Sequence, residues 1–146
     1  MAMRAENFSW SGSVFVVVEG QELDLHNCYD FHTFTHTIAN RSVSLAWCRG
    51  AGEWVDNDLP SSICIEISEV HFLKVRPRDP SMPFTEDDCL SSFGYDCDDV
   101  HADGQIWVDG TPDPNWRWSF EFQSGAEIIV GGERARVTLQ SRKPGD

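Results

Sequence analysis

Five residues with metal-ligand or acid–base chemistry crowd one short stretch: His26, Cys28, Asp30, His32 and His36 recur at even spacing. Imidazole, thiolate and carboxylate groups are what zinc sites draw on. Alternate residues of a strand share a face about 6.6–7 Å apart, which puts His32 and His36 ~13 Å from each other. One strand cannot gather three such groups around an ion, and the spacing matches no standard zinc pattern. The expectation is a polar strand face, with no metal and no cofactor.

Carboxylates offer two further possibilities. From Asp79 to Trp116 there are ten acids and no Lys or Arg. Asp96, Asp98, Asp99 and Asp103 suggest a calcium loop, but Val100 and His101 stand where an EF-hand needs a ligand and its glycine. An acidic surface for a basic partner is the better use of Glu86, Asp87, Asp96, Asp98, Asp99 and Asp103, with Trp54 as an exposed aromatic beside them. Glu121 and Glu127 are the second case. A hairpin through Gln123-Ser124-Gly125 sets them directly opposite, where two carboxyls can share a proton and can act as acid and base. Arg136, one strand over, is expected to relieve their repulsion in a structural network. The alternative is a small-ligand or enzymatic site of Glu121, Glu127 and Arg136 at the mouth of the fold, which requires a carboxyl with a raised pKa. Gly-x-Ser-x-Gly, the phosphate-loop pattern and His-Glu-x-x-His are absent from the chain, so the reading is non-enzymatic.

The elements that must position these groups are strands. Trp116, Trp118, Phe120 and Phe122 alternate with polar residues, the period of a strand with one buried face. The three-residue loop pairs Phe120 with Ile128 and Trp118 with Val130. A Gly132-Glu133 turn then pairs Val130 with Ala135 and Ile128 with Val137, completing a three-stranded meander. Upstream, Phe8–Glu19, with Trp10 and the run Val14–Val18, is a segment apolar on both faces that is expected to sit centrally or under another layer. Leu23–Ile38 reads as one or two strands around Asp30, with Phe34 and Ile38 inward. Val43, Leu45 and Trp47 mark a clean strand, and Gly50–Pro60 a loop carrying Trp54. In Ser62–Val75 the apolar phase changes near Ser68-Glu69, which calls for a bulge or tight bend. Thr85 with Asp88 suggests a capping box opening a short helix near residues 86–93, with Leu90 and Phe93 on its apolar side. The fold expected is an all-β antiparallel sandwich or flattened barrel of seven to eight strands, residues 1–146 forming one domain with a flexible tail after about 140.

Leu25-His26-Asn27-Cys28-Tyr29-Asp30-Phe31, followed by Asn40-Arg41-Ser42-Val43-Ser44-Leu45-Ala46-Trp47, resembles small all-β immunity-type proteins of bacteria. That likeness spans residues 25–47, and Asn27 replaces the Asp usual after the His. It implies a non-catalytic protein that blocks a toxin by binding it.

Composition sets the outer limits. A chain of 146 residues with six Trp and nine Phe can bury a core and is not disordered. Its formal net charge of −13 repels nucleic acid and anionic lipid. No apolar run reaches membrane-span length, and the first residues lack a signal-peptide pattern, so a cytoplasmic address is expected. Five Cys, an odd number without Cys-x-x-Cys, read as reduced thiols. The expectation is therefore a non-enzymatic interaction protein with a basic protein partner, of which immunity to a toxin is the most specific form. Oligomeric state is not legible.

Overall fold

Runs of alternating or continuous apolar residues, interrupted by turn residues, give twelve strands in the computed structural model, which describes residues 3–96, 105, 113 and 115–141. In chain order they are β1 (Arg4–Ala5), β2 (Ser9–Ser11), β3 (Phe15–Val18), β4 (Gln21–Asp24), β5 (Tyr29–Thr37) and β6 (Ser42–Arg49). Then follow β7 (Ser62–Ser68), β8 (Phe72–Arg76), β9 (Leu90–Asp96), β10 (Arg117–Phe122), β11 (Glu127–Gly131) and β12 (Arg134–Gln140). They form a five-stranded sheet β1-β12-β7-β6-β5, a four-stranded sheet β8-β11-β10-β9 and a three-stranded sheet β2-β3-β4, with no closed barrel. The all-β expectation holds, but with twelve strands among the described residues in place of seven to eight. Every pairing is antiparallel except β1 with β12, which is parallel.

Residues from all three sheets meet in one core. Val43, Leu45 and Trp47 face Ile63, Ile65 and Ile67 along β6–β7 and are fully buried with them. The Trp47 ring lies 5.1 Å from Phe31 and 6.2 Å from Phe120, joining the two larger sheets. The Phe8–Glu19 segment is not one element but two antiparallel strands, β2 and β3, with β3 central in its three-stranded sheet. That sheet delivers Trp10, which stacks on Phe93 at 3.8 Å and meets Trp118 edge-on. Asn7 ties the first residues down: its amide donates to Val137 O and accepts from Val137 N–H.

The β10–β11 hairpin forms in the expected register, Trp118 opposite Val130, Phe120 opposite Ile128 and Glu121 opposite Glu127. Gly125 takes a φ of 88°, a backbone conformation open mainly to glycine. The second half of the meander does not form. β12 pairs with β7 instead, Ala135 opposite Ile67 and Val137 opposite Ile65. Both partners set apolar against apolar, so alternation fits either, and it cannot choose between them.

Gly132-Glu133 is thus a crossing from one sheet to the other. The phase change after Ser68 is a second crossing, through Glu69 at φ 55°, between β7 and β8. The two run side by side: Glu133 N–H donates to Ser68 O at 3.1 Å and His71 N–H to Gly131 O at 2.9 Å. A two-stranded ribbon therefore bends as one unit and closes this end of the sandwich.

The expected helix is a correction. Phe84–Asp88 is a single 3₁₀ helix preceded by Pro83, with no side-chain cap, and Leu90–Asp96 is strand. The register slips between Glu121 and Phe122, so Phe93 faces Phe120 and Leu90 faces Phe122 with Ser91 left over. A bulge thereby puts residues three apart on one face, imitating a helical spacing. The same device at His32 turns both Phe31 and Phe34 toward the core. Ile38, expected inward, is 78% exposed because β5 ends at Thr37. The expected flexible tail lies almost wholly outside the described residues.

Candidate functional site

The bulge at His32 dissolves the even-spaced set. His32 and His36 are exposed, whereas His26 donates from Nδ1 to Leu90 O at 2.7 Å and has Cys89 Sγ at 3.5 Å. No group of three His, Cys, Asp or Glu among the described residues can hold a metal ion. Burial pushes the Cys89 thiol up, and the charges of Glu86, Asp88, Asp30 and Asp24 push the same way, against the thiolate form that a nucleophile uses. Cys28, Cys48, Cys64 and Cys89 are free and half-buried.

Two places remain. The first is the end of the sandwich away from the crossing ribbon, where the β4–β5 turn, the 50–61 loop, the 77–89 connection and the β10–β11 turn converge. Gln123 N–H donates to Cys89 O, Ser124 N–H to Glu86 O and Asp79 N–H to Ser124 O. These loops carry Glu53, Asp56, Asp58, Asp79, Glu86, Asp87 and Asp88 against one cation, Arg78. Arg78 is already committed to Asp87 at 2.8 Å and lies 4.5 Å over the Phe84 ring. Asp30, at the start of β5, has its carboxyl pushed up by burial and by the charge of Asp88.

Two large aromatics project here, Trp54 at 74% exposed and Phe84 at 81%. The loops beneath them are braced. Arg49 Nη1 donates to Asn57 O and Leu59 O, both at 2.7 Å. Tyr29 OH donates to Pro60 O at 2.8 Å, and burial pushes its pKa up to about 12. Of the six residues expected on an acidic docking surface, Glu86 and Asp87 are here with Trp54. Asp96 is not. It ends β9, seven extended residues or about 23 Å of chain from the loops, and pairs with Arg117 at 3.4 Å. Asp98, Asp99 and Asp103 lie outside the described residues.

The second place is the outer face of the four-stranded sheet. Its row nearest the loop end reads Arg76, Glu127, Glu121 and Ser92 across β8, β11, β10 and β9. The carboxyls oppose as expected, but Arg136 is in the other sheet, 3.7 Å from Glu6. Arg76 takes its place, with Nη2 at 3.3 Å from Glu127 Oε1. The displacement follows from the failed second hairpin.

Glu127 is 2% exposed. Its Oε2 accepts from Ser119 Oγ at 2.8 Å, while the buried Oε1 faces the Arg76 guanidinium as an ion-pair partner. Gln105 roofs the adjacent row, its Nε2 donating to Ser92 O and Ser119 O. Burial raises the Glu121 pKa, and the hydrogen bond it shares with Glu127 and that neighbour's charge raise it further, against a weaker pull from Arg76. The two carboxyls thus meet where a shared proton is favoured over two like charges. Sequence reasoning missed Arg76, Ser119 and Gln105. Only the β8–β11 pairing brings Arg76 across, and no local pattern announces it.

The pair has a consequence for stability. Between the ordinary carboxylate pKa and the raised one, folded Glu121 keeps a proton that the unfolded chain has lost. Stability from this group is present at low pH and falls as pH rises through that window. Glu121→Gln should flatten the fall and leave the variant more stable than the parent above it. Urea titrations at a series of pH values check this, and parallel curves for the two proteins would refute it.

Comparison with protein-family models, with curated proteins and with solved structures found no match. Among the described residues no helix is long and apolar enough to cross a membrane.

Proposed function

We propose that this protein is a non-enzymatic binding module of the cytoplasm that docks a basic protein through the loop end of its sandwich. Blocking a toxin is the most specific form of that role. The observation that carries the reading is the pairing of seven carboxylates, against one committed arginine, with a projecting tryptophan on braced loops. Acidic surface steers a cationic partner and sets its approach, while a large aromatic anchors it once docked. The surrounding chemistry supports the reading: burial and nearby carboxylates push the Cys89 thiol up, which suits a binding surface better than a catalytic one.

A test neutralises the surface without touching the braces. Glu53→Gln, Asp56→Asn, Asp58→Asn, Glu86→Gln and Asp88→Asn are combined and compared with the parent for capture of basic proteins at low salt. The parent should capture them in a salt-sensitive way, and the variant should lose on the order of ten-fold or more in association. Equal capture by both would end the proposal.

A second reading is favoured by one observation, the buried Glu127 carboxyl set beside Glu121 and ion-paired to Arg76. These three would form a small-ligand site at the sheet face, with Arg76 in the role expected of Arg136. It requires Glu121 to titrate above the ordinary carboxylate range, and its side-chain carbon resonance followed against pH decides the matter.

A further inference from the structure

We propose that the docking end reads arginine, and that the Trp54 ring is the built platform on which a partner's guanidinium stacks. This deepens the basic-partner reading and rests on it.

Trp54 is held rather than merely exposed. Its Nε1 donates to Asn27 O at 2.8 Å, and Asn27 is itself fastened to Asp24 through both its backbone N–H and its side-chain amide. The six-membered part of the ring lies against Gly52. A Cβ built at that glycine would fall 2.5–2.7 Å from ring atoms Cζ2, Cη2 and Cε2, closer than any side chain tolerates. Val55 N–H closes the turn onto Gly52 O at 3.0 Å, and the buried Val55 side chain roots the loop. Gly52 is therefore the residue that lets the ring lie down. The indole N–H is spent on the protein, so what faces the solvent is π-surface. A ring fixed in this way costs little further entropy when something stacks on it.

Charge selects what stacks. The ring face is the negative pole of its quadrupole, and the 50–60 loop adds Glu53, Asp56 and Asp58 with no Lys or Arg. Arg49, the nearest cation in sequence, is directed to the carbonyls of Asn57 and Leu59. A sugar would gain nothing from that field. A planar guanidinium can lie flat on the ring and still reach a carboxylate with its edge, which a lysine ammonium cannot do in one geometry. The chain already uses this arrangement internally: Arg78 lies 4.5 Å over Phe84, and Arg117 lies 3.5 Å over Phe72. Among the described residues no cation of the chain lies over Trp54.

The test uses hexa-arginine and hexa-lysine, peptides of equal charge, titrated against the full chain at low salt. Binding is followed by the Trp54 indole N–H resonance for the parent and by calorimetry for every form. The parent should prefer the arginine peptide by roughly two- to five-fold, the range expected of an exposed cation–π contact. Trp54→Leu should bind both peptides equally, keeping the salt-dependent part. Gly52→Ala, which keeps the tryptophan but lifts the ring, should lose the preference too. Equal affinities in the parent, or a preference that survives Trp54→Leu, would overturn the arginine platform while leaving the acidic docking surface standing. If neither peptide bound the parent at low salt, both proposals would fall together.

Discussion

Trp47→Ala should lower stability by about 3–5 kcal/mol, the range for emptying a large aromatic site in a close-packed core. Trp47 is fully buried at the point where both larger sheets meet, against Phe31 and Phe120. Alanine there leaves a void bounded by two sheets, and two sheets joined by a bent ribbon cannot collapse freely to fill it. The matching loss in melting temperature is roughly 10 °C or more for a chain of this length. Trp47→Phe separates packing from polarity. The Trp47 Nε1 is buried without a hydrogen-bond partner, so phenylalanine keeps much of the ring volume and removes an N–H that the fold does not satisfy. Its cost should be well under half that of alanine. Denaturant titrations of the three proteins measure this, and a similar cost for both variants would mean that ring filling is not what Trp47 supplies.

The second large effect is Gly132→Val, expected to cost about 3 kcal/mol, near the upper end for overpacking. Gly132 does not have a positive φ, so its backbone suits any residue and only space forbids one. A Cβ there would stand 2.8 Å from Ser68 O and 2.9 Å from Ile67 Cγ2. The first obstacle is backbone of the neighbouring crossing and cannot swing aside. Gly125 offers the contrast: its φ of 88° makes substitution costly through conformation, with Asp79 no nearer than 3.4 Å to the added carbon. If Gly132→Val unfolded at the parent's denaturant midpoint, the crossing would be looser than its contacts imply.

What was legible in the sequence was what local alternation encodes. Val43, Leu45 and Trp47 share a face, the Gln123-Ser124-Gly125 loop fixes its hairpin to the residue, and Trp54 sits on an exposed loop. The carboxyl pair followed from that hairpin, whereas the burial that does most to raise the Glu121 pKa did not. What was not legible depends on partners distant in the chain. Ala135 opposite Ile67 is as apolar as Ala135 opposite Val130, so the sheet switch leaves no mark in the pattern, and alternation alone sets Arg136 near Glu127. Bulges were the other source. At Ser91 and His32 one extra residue turns a three-residue spacing into a shared strand face, and the first of these read as a helix. The distance between two residues read as one acidic face, Glu86 and Asp96, has a related reason, while Asp98, Asp99 and Asp103 lie outside the described residues. Once Leu90–Asp96 is extended rather than coiled, Glu86 and Asp96 stand at opposite ends of the sandwich.

The paired crossings have one more implication. Both connections between the larger sheets that the described residues contain sit at one end, whereas the 50–61 loop, the 77–89 connection and the β10–β11 turn each return to the sheet they left. The sandwich is built like a clothes-peg, with its chain crossings between the larger sheets at the ribbon. At the jaws the described residues make only non-covalent contacts, such as His26 Nδ1 to Leu90 O. The jaws are where Trp54, from the five-stranded sheet, and Glu86, between two strands of the four-stranded one, present themselves. A partner seated across both would act as a clip, holding the sheets together while it is bound. Recognition and mechanical closure would then be the same event, and the complex would resist unfolding more than the free chain by whatever the partner's affinity contributes.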